Sequence, residues 1–222
     1  MGLLKIFSAN STIATHVAKS AKRQRSEVAA MRTLPMPQFI EQCLVWMHPE
    51  GSTWSGKARP ARADAKTVVA AKRLPASLAE FYLHCDGIAG KNEFPTPVLP
   101  LAELKLGADY ATPPSQVVMS HWKQHGNDSP REGFLMVLPP QDLGAIGAVG
   151  TPAMVRPQSL DMSLPLVPMR PGGFAVVLLA PAGEHLPAGS VLEYENGIAT
   201  RFDDFRHWLA NWASLFSSMR SE

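Results

Sequence analysis

Apolar residues along this chain recur at two periods, and the period changes near the middle. In the first half the spacing is helical. Phe39, Ile40, Cys43, Leu44 and Met47 predict a helix over residues 36–48, ended by His48-Pro49-Glu50-Gly51. Asp64 is placed to cap a helix from Ala65 to Arg73. Leu74, Leu78, Phe81, Tyr82 and Cys85 then form an apolar stripe on a further helix, with Pro75 at its first position. Gly87 stands where a left-handed residue would stop that helix, with Ile88 packing back on Leu83. The apolar segment Val98-Leu99-Pro100-Leu101-Ala102-Glu103-Leu104 follows, and a short helix carrying Trp122 is expected over Ser115–His125.

In the second half the pattern turns strand-like. Phe134–Leu138, Leu164–Met169 and Phe174–Ala180 read as strands, while the Gly-rich Gly144–Pro152 reads as a loop or irregular strand. Val191–Thr200 gives the clearest signal. Asn196-Gly197 between two strand-like runs predicts a hairpin closed by a type I′ turn, with Tyr194 opposite Ala199 and Glu195 opposite Ile198. A final helix carries Phe202, Phe205, Leu209, Trp212 and Phe216, with Thr200 and Asp203 spaced as a capping box. The fold expected is α+β: a mainly antiparallel sheet packed against helices from both ends of the chain.

Composition narrows the class. No apolar run approaches the roughly 20 residues of a membrane span, and Met1–Ser8 lacks a secretory h-region. Cys43 and Cys85 read as reduced core thiols, so the expected location is the cytoplasm. The net charge of +2 hides a segregation. Residues 1–75 hold twelve Lys and Arg against four acids, a net of +8, and residues 76–222 hold nine against fifteen, a net of −6. Residues 1–33 read as a basic, solvated extension, and residues 36–216 as a single domain. The acidic part favours a basic protein partner and argues against nucleic acid or membrane as ligand.

Catalytic constellations are weak. His121 and His125 share a helical spacing, but Trp122 occupies the place where a zinc protease needs Glu. His84 and Cys85 are adjacent and diverge on a helix. Gly144, Gly147 and Gly150 have the wrong spacing for a dinucleotide loop. Glu193 and Glu195 share a strand face that reads as solvated, suited to an acidic patch rather than acid–base chemistry. Asp203 and Asp204 suit a helix N-terminus. No catalytic residue, metal site or cofactor is assigned. A hydrolase built on His and carboxylates is the alternative from another class.

Three blocks stand in order: Leu74-Pro75…Leu78…Phe81-Tyr82…Asp86-Gly87, then Leu99-Pro100-Leu101…Leu104, then a strand pair feeding Phe202-Asp203-Asp204-Phe205. With Trp54…Arg59-Pro60-Ala61 before them and Pro165–Met169 followed by Phe174–Leu178 among them, the chain resembles the SUKH superfamily over about residues 36–216. Two positions depart from the pattern: Gly172-Gly173 where a Gly-Asp pair is common, and Arg201 where Ser is common. The resemblance implies binding, not catalysis. Bacterial members are mostly immunity proteins that neutralise a cognate secreted toxin, often a nuclease, and other members are regulatory hubs. The function expected is an immunity protein whose partner is a polymorphic or type VI secretion effector, with a regulatory or scaffold hub of the same fold as the alternative. The candidate contact residues are Glu184, Glu193, Glu195, Asp203 and Asp204.

Overall fold

The computed structural model describes residues 22–48, 56–90, 98–125, 133–139 and 151–218. Helix α1 covers residues 22–32 of the described chain. It is followed by α2 (Met36–Trp46), β1 (Lys57–Pro60), α3 (Ala65–Lys72), α4 (Ala76–His84) and β2 (Cys85–Ala89). Then come α5 (Pro114–His125), β3 (Leu135–Leu138), β4 (Ala153–Val155), β5 (Leu164–Pro165), β6 (Gly173–Val177), β7 (Val191–Glu195), β8 (Ile198–Phe202) and α6 (Phe205–Ser218). The main sheet has the order β4-β3-β8-β7-β6-β5, and β1 and β2 form a separate pair. Every neighbouring pair is antiparallel except β3 with β8. The α+β expectation holds, with helices from both ends of the chain on the sheet.

Strand alternation divides the interior in two. Ala175, Val177, Val191 and Phe202 belong to a core with Phe39, Leu78, Phe81, Phe205, Trp208 and Leu209, the inward faces of α2, α4 and α6. Phe174, Val176, Leu192, Tyr194 and Ala199 belong to a second core with Val117 and Val118 of α5 and Leu160. Phe81 and Phe205 meet with ring centroids 4.8 Å apart, which joins α4 to α6. Val28 and Met31 are buried in the first core, so the described part of the basic extension packs by one face while most of its residues stay exposed.

The helix expected through Gly87 is shorter. It ends at His84, and Cys85 is already extended at φ −153°, ψ 159°. Gly87 lies inside β2 at φ +83°, where an added Cβ would sit 2.7 Å from the carbonyl oxygens of Val98 and Leu99. Close backbone approach, not helix termination, explains the glycine. Ile88 is buried and bridges Val98, while Leu83 is largely exposed, so the two do not form the expected stop. Leu99 continues the connection: its N–H donates to Leu166 O, its carbonyl accepts from the buried Tyr82 hydroxyl at 2.7 Å, and Leu101 N donates to Asp86.

Two cap expectations also change. Asp64 occupies the N-cap position of α3 but makes no side-chain cap bond, because Arg62 takes its carboxylate through two contacts. Thr200 is paired across the sheet with Glu193, and the cap of α6 falls to Asp204. Pro75 precedes the first turn of α4 as its N-cap. The hairpin register agrees with the sequence to the residue: Tyr194 faces Ala199, Glu195 faces Ile198, and Asn196 and Gly197 have φ of 48° and 92°.

Arg206 connects the helices. Its guanidinium donates to the carbonyls of Arg32 (3.1 Å) and Leu34 (2.6 Å) and to Glu80 (2.9 Å), and it lies over the Phe39 ring. One α6 side chain thereby holds the end of α1, the entry to α2, and α4. Arg206→Met keeps most of the stem packing but leaves the carbonyls and Glu80 without their donor. The expected loss is about 2–4 kcal/mol, read as a lower urea midpoint at unchanged m-value.

Candidate functional site

A groove of mixed chemistry lies where β6 and β8 end and β7 begins. Asp204 Oδ1 accepts the N–H of His207 at 2.7 Å and so closes the first turn of α6. Asp203 points outward, with 72% of its side chain exposed. Its Oδ2 lies 3.2 Å from Arg32 and 3.1 Å from His207 Nδ1, and Arg32 also reaches Asp204 at 3.6 Å. Burial, and then the neighbouring Arg32 charge, hold the His207 imidazole below its usual pKa, which keeps the ring neutral near pH 7.

These aspartates form one wall of a groove of about 470 Å³. Arg73, Pro75–Ser77, Leu179, Ala188 and Gly189 complete its lining. Local sequence shapes each wall. Arg73 ends α3 in the left-handed conformation at φ 51°, which turns the chain directly into Pro75. Gly189, at φ +89°, packs closely enough that an added Cβ would touch Pro75 at 3.5 Å. The lining therefore contains exposed carboxylate, a cation and a small apolar strip.

The five candidate acids do not make one patch. Glu184 lies on the β6–β7 connection, 90% exposed, with His185 Nε2 3.7 Å away. Like Asp203 and Asp204, it belongs to the end of the sheet where β7 begins. Glu195 lies four residues along β7, roughly 13 Å away at strand rise, where Arg170 takes its carboxylate. Asn196 Nδ2 also donates to Glu195, at 3.3 Å.

Glu193 is not on a solvated face. It lies between Ala175 and Thr200, on the side of β7 that carries α6. Burial, and then the Glu195 charge, push its carboxyl up to about 7, against the opposing pull of Arg170 and of the Trp208 indole. The Trp208 Nε1 is itself buried and makes no hydrogen bond of normal geometry among the described residues.

The remaining sequence candidates fall away from chemistry. Cys85 is buried at the start of β2, where burial pushes its thiol up to about 12. His84 is exposed at the end of α4. Burial also pushes the free Cys43 thiol up. Among the described residues no group of three or more His, Cys, Asp or Glu is arranged to hold a metal, and no helix is long and apolar enough to cross a membrane. Most of Gly144–Pro152, Trp54, and the side chains of His125 and Phe216 lie outside what is described. Sequence reasoning missed Arg32, Arg73, Ala188 and His207. The i,i+4 spacing of Asp203 and His207 was the one local signal available. Comparison with protein-family models, with curated proteins and with solved structures found no match to this chain.

Glu193 gives a pH prediction. Its folded pKa, about 7, lies above the ordinary 4.5, so the folded state binds the proton more tightly. Its stabilising contribution is full below about pH 4.5, declines as pH rises to about 7, and is flat beyond. Glu193→Gln should remove that decline and be the more stable protein at pH 8, by something of the order of 2 kcal/mol. Urea midpoints of both proteins from pH 5 to pH 8 check it: parallel curves would mean Glu193 titrates normally.

Proposed function

We propose that this chain is a binding protein of the SUKH type, an immunity protein that docks on a cognate secreted toxin and blocks its working surface. One observation carries the reading. Blocks that carry the resemblance and lie far apart in sequence, Leu74-Pro75 and Phe202-Asp203-Asp204-Phe205, meet at the groove formed by Arg73, Pro75–Ser77, Ala188–Gly189 and the two aspartates. The elements around it are rigidly held, by the Asp204 cap on one side and the left-handed turn at Arg73 on the other. A preorganised groove loses little entropy on docking.

The chemistry of the groove suits a protein loop that presents a basic side chain to Asp203 and fits beside Ala188. A toxin whose cleft binds nucleic acid is rich in such side chains, and masking them by contact needs no reaction. Blocking a toxin at low copy number calls for about −12 kcal/mol, nanomolar affinity. Steering by the exposed Asp203 and Glu184 would raise the association rate more than the affinity. The site of action on this reading is the cytoplasm of the toxin-producing cell, with no cofactor required.

The test is co-expression with the toxin encoded beside it. Protection of the cells is expected. Ala188→Arg, at an exposed position that makes no ion pair of its own, fills the groove with bulk and positive charge and should weaken toxin binding by at least about tenfold, or 1.4 kcal/mol, by calorimetry. Its thermal midpoint should stay close to that of the parent. Undiminished killing by the toxin in the presence of the unaltered chain overturns the immunity reading for that pair.

A further inference from the structure

Arg73 is held in a conformation that arginine does not favour. It ends α3 at φ 51° and ψ 45°, in the left-handed region. Helices that stop this way mostly do so on glycine, because a Cβ there crowds the backbone. Asn196, another non-glycine residue at positive φ, is of a type that turns accept readily. A long side chain at such a position stores strain, and strain of this kind collects at working surfaces.

The fold does not use the Arg73 side chain. Its guanidinium makes no hydrogen bond or ion pair among the described residues. Arg32, Arg62, Arg170, Arg201 and Arg206, by contrast, each donate within the chain. A cation suits the C-terminal end of a helix, but Lys72 already stands in that turn, and its ammonium donates to the carbonyl of Leu104. Arg73 is exposed and lines the groove together with Asp203 and Asp204. Those two carboxylates would be its natural internal partners. Arg32 reaches both instead, at 3.2 and 3.6 Å, and Asp204 is further held as the cap of α6. The groove therefore keeps one cation without a counter-charge.

This free cation changes what fits. A loop that carries only basic side chains would meet Asp203 favourably and Arg73 unfavourably. A loop that also carries a carboxylate satisfies both. The planar fork of a guanidinium takes a carboxylate through two parallel hydrogen bonds. Closing the groove over such a pair removes the water that screens it in the free protein. Shape and the contact at Asp203 are thereby joined by a third requirement, and its repulsive side rejects partners that are merely basic.

We propose that Arg73 is a specificity residue of the groove and receives an aspartate or glutamate side chain of the docked protein. This role rests on the toxin-blocking reading and adds an acidic contact to the basic one at Asp203. It explains why an arginine stands where glycine would fit the backbone better.

The experiment measures binding of the full chain to the toxin encoded beside it, by calorimetry, for the parent and for Arg73→Lys, Arg73→Gly and Arg73→Glu. Affinity should fall in that order. Arg73→Gly is expected to lose at least about tenfold and Arg73→Glu at least about a hundredfold. Arg73→Lys keeps the charge but not the fork, and should lose less than Arg73→Gly. Thermal midpoints are recorded alongside. That of Arg73→Gly should equal or exceed the parent's, because glycine relieves the left-handed strain, so its weaker binding is not a loss of fold. The proposal is overturned if Arg73→Gly binds as the parent does, if Arg73→Glu binds as tightly as Arg73→Gly, or if the affinities follow the midpoints rather than the charge. A parent that does not bind the toxin overturns the toxin-blocking reading and the role of Arg73 with it. A parent that binds while the charge order fails overturns the role of Arg73 alone.

Discussion

The arrangement of helices around the sheet depends on one largely buried cation. Arg206 enters the structure two residues after the cap of α6 and finds four partners that are 126 residues or more away in sequence: the carbonyls of Arg32 and Leu34, the carboxylate of Glu80 and the face of Phe39. With 14% of its side chain exposed, it is desolvated enough that removing any acceptor would be costly. The Arg32 carbonyl closes α1, where the last carbonyls of a helix lack intrahelical donors, and the Leu34 carbonyl lies on the approach to α2. Arg206 supplies them from another element and so ties the N-terminal helices to α6.

With that layer fixed on one face and α5 on the other, the middle strands are buried on both sides. This explains why Glu193 fails as a surface acid. The alternation of β7 puts Val191, Glu193 and Glu195 on the α6 side. Only the strand end reaches solvent and Arg170, which leaves Glu193 beside a tryptophan. A strand of alternating apolar and acidic residues normally signals one wet face. Here the second helical layer covers it, and the effect appears as a carboxyl that titrates near neutrality.

Local chemistry was legible and remote chemistry was not. Asn196-Gly197 specifies its own turn, so the register of β7 and β8 followed from four residues of sequence. Leu78, Phe81 and Tyr82 announce their buried face by spacing alone. Gly87 misled because a left-handed glycine has the same sequence signature at a helix stop and at a strand crossing. The cause of its conformation is the backbone of Val98 and Leu99, more than ten residues on. Thr200 misled for a related reason: a good cap residue was claimed by sheet pairing, and Asp204 took over the cap. Among the candidate acids, residue type was readable, but the division between the two ends of β7 required the fold.

The charge segregation along the chain takes on a different meaning once folded. The basic first third does not remain apart from the acidic remainder, because Arg32 at the end of α1 lies against both Asp203 and Asp204. The aspartate at the groove is therefore already partly neutralised by the chain itself. On the proposed toxin-blocking reading, a partner's basic side chain would have to add to, or displace, an internal guanidinium. That makes bulk negative charge a poor source of affinity at this site. On that reading discrimination would rest on shape, on how a loop fits beside Pro75 and Ala188 while placing its cation on the exposed side of Asp203. A weakly charged but rigid groove of this kind would separate one basic partner from the many that its acidic surroundings attract.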